Sequence, residues 1–208
     1  VNDIEIKVGD NSTGIYGVYK SGTSKFDGVT PNKSVILNDT GKNVEVGNVS
    51  AGIYSVGFEK VENKGSVIGK DKSVGIYAKN DVSNDRNKLV AVNTADGTIV
   101  VDSNKSIGIS AEKSTVDNSG TITMKKAESA GIYGKSGSKV TNNLKIEMKE
   151  NQSAGIYLEN SDAENAANGT ITVYKGASAG IYGKFTSDAT ADNTIVNNGK
   201  ITLTATSG

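Results

Sequence analysis

Apolar residues in this 208-residue chain come in short alternating bursts that recur at intervals, and no stretch keeps the 3.6-residue rhythm of a helix. One burst is an apolar pair with a single residue between its members: Ile6/Val8, Val44/Val46, Ile99/Val101, Ile122/Met124, Ile146/Met148, Ile171/Val173 and Ile201/Leu203, with Val67 alone in the third copy. Alternation of this kind marks a strand with one buried face. A second burst, Ser-x-Gly-Ile-Tyr, places its Gly at 14, 52, 75, 108, 131, 155 and 180. Ser precedes and Ile follows that Gly in every copy; Tyr completes six, and Ser110 stands in for it in the fourth. The Gly lies 8 residues after the first member of the pair in the first three copies and 9 in the next four. A third burst, at Val61, Val116, Val140 and Ile195, runs into Asn and Gly, residues that tolerate the left-handed backbone of a turn.

Successive pairs are 38, 23, 32, 23, 24, 25 and 30 residues apart, so the basic unit is 23–25 residues with three strands and three turns. A period of this length built from strands predicts an all-β, right-handed parallel β-helix (solenoid) of seven to eight coils, one continuous segment over residues 1–208. Leucine-rich repeats share the period but need a Leu ladder, and the chain has 5 Leu against 18 Ile and 21 Val. Coils stacked about 4.8 Å apart would line equivalent residues into ladders: apolar inside, Asn on Asn in the turns. Strict alternation along Ser-Ala-Gly-Ile-Tyr places Ala and Ile on one face and Ser, Gly and Tyr on the other. Charges two residues past Tyr (Lys79, Lys135, Glu159, Lys184) mark the outer face, which predicts Ile inside and a surface tyrosine ladder of Tyr16, Tyr54, Tyr77, Tyr133, Tyr157 and Tyr182.

The three long copies are all long after the Tyr, near residues 18–36, 79–92 and 184–195, so the insertions are expected on one side of the rod. One-sided insertions in a repeat protein often form its binding face. The candidate binding residues there are Tyr19, Lys25, Phe26 and Asp27 in the first, Asp81, Asp85 and Arg86 in the second, and Phe185 in the third.

Composition narrows the chemistry. With 23 basic and 23 acidic residues the net charge is zero, which argues against a nucleic-acid partner. The absence of Cys and His removes disulfides, thiolate metal sites and the usual catalytic base. No catalytic residue, metal or cofactor is expected, and no apolar run is long enough for a membrane span. The Gly131-Ile-Tyr-Gly134-Lys135-Ser136 segment looks like the end of a phosphate loop, yet it recurs at Gly180 and belongs to the repeat. The acidic stretch Glu159–Glu164 lacks the spacing of a known calcium loop. A polysaccharide-degrading β-helix would need clustered carboxylates at one place in adjacent coils, and none recurs.

The run of Ser-Ala-Gly-Ile-Tyr units at Ser129, Ser153 and Ser178, separated by Asn-x-Gly turns and strands, resembles the passenger of fusobacterial type V autotransporter adhesins. The resemblance implies a piece of a longer secreted passenger, displayed at the bacterial cell surface from the outer membrane. It implies partners on a host cell, whether glycan or protein receptor, or on a partner bacterium. Two alternatives remain open: a structural stalk that displays a distal tip, and, more remotely, the polysaccharide-degrading enzyme.

Overall fold

Three short strands and three turns make one coil, and the coils stack in register. The computed structural model describes residues 1–2, 4–18, 35–80, 90–186 and 193–204; over these it has 22 strands and no helix. Every third strand pairs in parallel with its counterpart in the next coil, giving sheets of eight, seven and seven strands. This is the parallel β-helix that the repeat predicts, with seven coils and one further strand.

One coil shows how the residues divide. Thr121–Met124 lies in the first sheet, Ala130–Lys135 in the second and Lys139–Asn142 in the third. Ile122, Met124, Ile132 and Val140 point inward and are fully buried. Each stacks on its like: Ile122 on Ile99 and Ile146, Ile132 on Ile109 and Ile156, Val140 on Val116 and Ala163. A fully buried Ile or Val contributes about 1.5–3 kcal/mol, so a few per coil suffice when neighbouring coils cover both sides. β-Branched side chains suit this position because their stiff rotamers pack on a pleated surface. Volume is also traded between coils: the large Leu158 stacks between Gly134 and Gly183. A Cβ built at Gly134 would lie 3.3 Å from Leu158 Cδ2.

The face assignment from strict alternation needs one correction. Ile is inside and Tyr outside, as predicted, but Gly is inside with Ile, and Ala lies on the Tyr side, half-buried at Ala130 and buried at Ala154. The ladder explains it: Ala130 pairs with Ala154 and Ile132 with Ile156, while the Gly between them is skipped. The strand bends at that point, so two consecutive residues face the interior. A Cβ on Gly131 would sit 2.6 Å from both the Gly155 carbonyl oxygen and Ile146 Cγ2. That close approach accounts for the Gly of the motif.

The motif Ser has a separate reason. The residue before it has a positive φ in every coil (Asn11 52°, Val49 53°, Lys72 52°, Lys105 56°, Glu128 55°, Gln152 52°, Ala177 53°), a conformation that costs a non-glycine residue energy. The Ser hydroxyl stabilises the bend. Ser129 Oγ donates to the Ala127 carbonyl at 3.0 Å and accepts from the Ser106 amide at 3.4 Å, and the same arrangement recurs at Ser50, Ser106, Ser153 and Ser178; Ser73 Oγ donates to the Asp71 and Gly47 carbonyls at 3.3 and 2.9 Å.

Asn closes each strand of the third sheet, and these side chains turn into the rod, except at its end, where Asn197 is exposed. Asn2, Asn38, Asn63, Asn93, Asn118, Asn142, Asn165 and Asn197 form one chain in which each Nδ2 donates to the next Oδ1 at 2.8–2.9 Å, always in the same direction. The second proton of most of these amides goes to a backbone carbonyl, as from Asn118 to Lys145 at 3.4 Å. The polar column inside the apolar rod is therefore satisfied. Among the described residues the one buried side-chain polar atom without a partner is Ser55 Oγ.

Candidate functional site

The candidate surface is the outer face of the second sheet. Tyr16, Tyr54 and Tyr77 stack there with ring centroids 5.3 and 4.8 Å apart. Tyr133, Tyr157 and Tyr182 form a second run with centroids 5.4 and 5.1 Å apart. Ser110, paired with both Tyr77 and Tyr133, separates the two runs. The rings at the rod ends are open, Tyr16 at 68% and Tyr182 at 47% exposure, and the other four are half-buried.

Beside the tyrosines runs a line of charges of alternating sign: Lys79, Glu112, Lys135, Glu159, Lys184, each in register with the next. Glu112 sits between Lys79 and Lys135 at 3.3 and 3.0 Å and accepts from the Tyr77 hydroxyl at 3.3 Å. Burial pushes the Glu112 carboxyl up, but the hydrogen bonds from Lys135 and Lys79 outweigh it and hold the group below the usual carboxylate range. The Tyr133 hydroxyl donates to Glu159 Oε2 at 2.7 Å. Burial first, and then that bond to an anion, raises the Tyr133 phenol far above its ordinary value. Burial and the nearby Glu159 raise Tyr157 as well. On the first sheet, Glu147 collects Lys145, Lys149 and the Tyr174 hydroxyl at 3.2, 3.1 and 3.0 Å, with Lys149 Nζ 4.0 Å above the Tyr174 ring.

A groove of about 910 Å³ runs along the rod beside the second tyrosine run. One wall is Tyr133, Tyr157 and Tyr182; the other is the ridge of turn residues Lys105, Glu128 and Gln152. Ala130, Ala154 and Ala179 form the floor, and Ile107 occupies the same register position at one end. All the lining residues come from the four coils in which the turn before the motif is one residue longer. In the first three coils the floor position holds Thr13, Ala51 and Val74.

The predicted loop residues fare differently. Tyr19, Lys25, Phe26, Asp27, Asp81, Asp85 and Arg86 lie outside the described residues. The described ends of the three long connections show where they leave: Thr13–Val18 to Val35–Asn38, Val74–Lys79 to Val90–Asn93, and Ala179–Lys184 to Ile195–Asn197, the same corner in each coil. Phe185 is 45% exposed and lays its ring over Gly183, where a Cβ would meet it at 2.8 Å. The acidic stretch is committed to protein partners: Asp162 accepts from the Thr194 amide and Glu164 from Asn198. No group of three metal-ligating side chains exists among the described residues. Gly131 to Lys135 is strand rather than loop, so it does not form a phosphate cradle.

Sequence reasoning missed the groove and Glu112. The lengthened turn and the run of Ala after the motif Ser were visible signals of the groove. Glu112 escaped because its marker, the Tyr two residues earlier, is Ser110.

The fold defines the class, a parallel β-helical repeat protein. No family model matches the chain, and no curated protein or solved structure matches it either.

Proposed function

We propose that the chain is a segment of a bacterial cell-surface adhesin passenger that attaches to host cells or to other bacteria by binding a glycan or protein receptor, and that it is not an enzyme. The observation that carries this reading is the segregation of the rod's decoration. The long connections leave from one corner, and the tyrosine runs and groove occupy the sheet that feeds that corner. Uniform stacking inside needs none of this asymmetry. The resemblance of the Ser-Ala-Gly-Ile-Tyr repeat to autotransporter passengers supports the setting, with display from the outer membrane.

The test is adhesion of beads carrying the purified chain to epithelial cells and to bacterial cells. A variant in which residues 19–34 and 80–89 are each replaced by the two-residue connection Lys113-Ser114 of a short coil is compared with the intact chain. Adhesion by the intact chain that the shortened variant loses supports the loops as the contact. Adhesion unchanged by shortening moves the contact to the sheet faces, and no adhesion by either form favours the structural stalk.

A further inference from the structure

We propose that Tyr54 and Tyr77 form an oxidative modification site, at which hydrogen peroxide acting through a haem peroxidase joins the two rings into a dityrosine that staples adjacent coils. The proposal concerns the covalent chemistry of the outer ladder and does not depend on what the rod binds.

Electron supply comes first. The side chains that normally give up an electron before Tyr are Cys, Trp and Met. The chain has no Cys and no Trp, and its two Met residues, Met124 and Met148, are fully buried. A one-electron oxidant arriving from solvent therefore meets the tyrosine ladder as the most oxidisable group on the surface. Tyr54 and Tyr77 are half-buried rather than closed off.

Proximity comes second. Tyr54 and Tyr77 are register partners on paired parallel strands. Their ring centroids are 4.8 Å apart with 14° between the planes, the shortest ring-to-ring distance along the ladder. Two tyrosyl radicals in free solution must find each other by diffusion, and the fold replaces that encounter with a standing contact. Coupling asks the rings to turn from face to face towards edge to edge. Tyr133 and Tyr157, 57° apart in plane with centroids 5.4 Å apart, show that the same sheet face holds a pair turned in this way.

The proton comes third. A phenol is oxidised readily near neutral pH only if its proton leaves with the electron. The Tyr77 hydroxyl donates to Glu112 Oε2 at 3.3 Å. Burial pushes the Glu112 carboxyl up, but the hydrogen bonds from Lys135 and Lys79 hold it below the usual carboxylate range, so an ionised base stands beside the phenol.

The step balances as follows. Each ring loses one electron and its phenol proton, from Tyr77 to Glu112 and from Tyr54 to water. The two electrons and two protons reduce one hydrogen peroxide to two waters. One C–C bond then forms between a Cε carbon of each radical. Each of those carbons gives up its hydrogen as a proton, and each phenol oxygen regains one, which restores both aromatic rings. Tyr77 and Tyr133 do not couple, because Ser110 lies between them in the ladder and sets them two coils apart, about 10 Å.

The experiment treats the dilute intact chain with hydrogen peroxide and horseradish peroxidase, isolates the monomer under denaturing conditions, and maps its tryptic peptides by mass spectrometry. Trypsin releases residues 43–60 and 73–79 as separate peptides, each with a single tyrosine. The expected product joins these two and is lighter than their sum by two hydrogens. Tyr54→Phe should remove it, and Glu112→Gln should slow its formation about tenfold or more. The linked monomer should melt at a higher Tm than the untreated chain, and circular dichroism checks that both variants are folded. The proposal is overturned if the monomer holds no such link, if dityrosine forms only between molecules, or if peptide 73–79 is joined to the Tyr133 peptide 127–135 as often as to 43–60. Formation unslowed in Glu112→Gln would overturn the proton step.

Discussion

Two ladders run the length of this rod, and they obey different rules. The asparagine ladder is inside up to its exposed last member, Asn197, and it is unbroken through all of its eight residues. The tyrosine ladder is outside, and it is broken at Ser110. The difference is one of cost. An Asn removed from the interior leaves a buried donor in the coil before and a buried acceptor in the coil after, neither reachable by water. A Tyr missing from the surface leaves a neighbour that finds another partner: Tyr77 bonds Glu112 across the gap at Ser110. The interior fixes the period of the rod, and the exterior is free to vary from coil to coil, which is where a binding face can arise.

The strongest way to break the comparison is Asn118→Leu, which orphans Asn93 Nδ2 and Asn142 Oδ1 together. We expect a loss of about 3–5 kcal/mol, measured as a lower urea midpoint. A loss below 1 kcal/mol would equate the two ladders. Tyr157→Ala removes a ring stacked at 5.4 and 5.1 Å on its neighbours and should cost about 1–2 kcal/mol by the same measurement. Ser55→Ala takes away the hydroxyl that has no partner, so it should stabilise by about 1 kcal/mol; a destabilisation would mean that Ser55 does find one. Ser110→Tyr joins the two runs and should raise stability by about 0.5–1 kcal/mol if stacking is what the outer ladder contributes.

The smallest effects are in pH. The Tyr133 phenol is raised in the folded chain, so its neutral form is the one that folding favours. Its contribution is whole below about pH 10, the unfolded value, and is lost as pH rises beyond that. Ultraviolet titration of the phenols should show a late component that Tyr133→Phe reduces, leaving the part that belongs to Tyr157. Glu112 is lowered, so its contribution is present above its ordinary carboxylate value and fades as pH falls through the lower folded one. Glu112→Gln should flatten the acid limb of the stability curve without moving the alkaline one.

Much of the fold could be read from spacing, because each coil repeats the same physical problem. The Ile and Val pairs, the inward Ile and the outward Tyr all followed from alternation and period. The third burst carries its signature in only four coils, since Ile36, Ala91 and Ala163 fill the same inner position without the run into Asn and Gly. The bend at Gly131 was hidden because it depends on what lies opposite, the Gly155 carbonyl one coil away. The positive φ before each motif Ser left no trace in the sequence, since Val49, Lys105 and Glu128 are not residues that announce it. The groove was legible only in pieces, a lengthened turn here and an Ala there, because a concave surface belongs to several coils at once.

The one-way order of the asparagine amides makes the rod a polarised object. Every carboxamide dipole points the same way along the axis, so the column has an acceptor at the Asn2 end and a donor at the Asn197 end, much as a helix has unlike termini. Each coil therefore instructs the amide of the next, and a coil laid down with its Asn reversed would face oxygen with oxygen. Asn118→Asp would create that clash in mid-column, against Asn142 Oδ1, and divide one continuous dipole into two. Growth of such a rod is thus a relay with a direction, written in the orientation of one amide repeated from coil to coil.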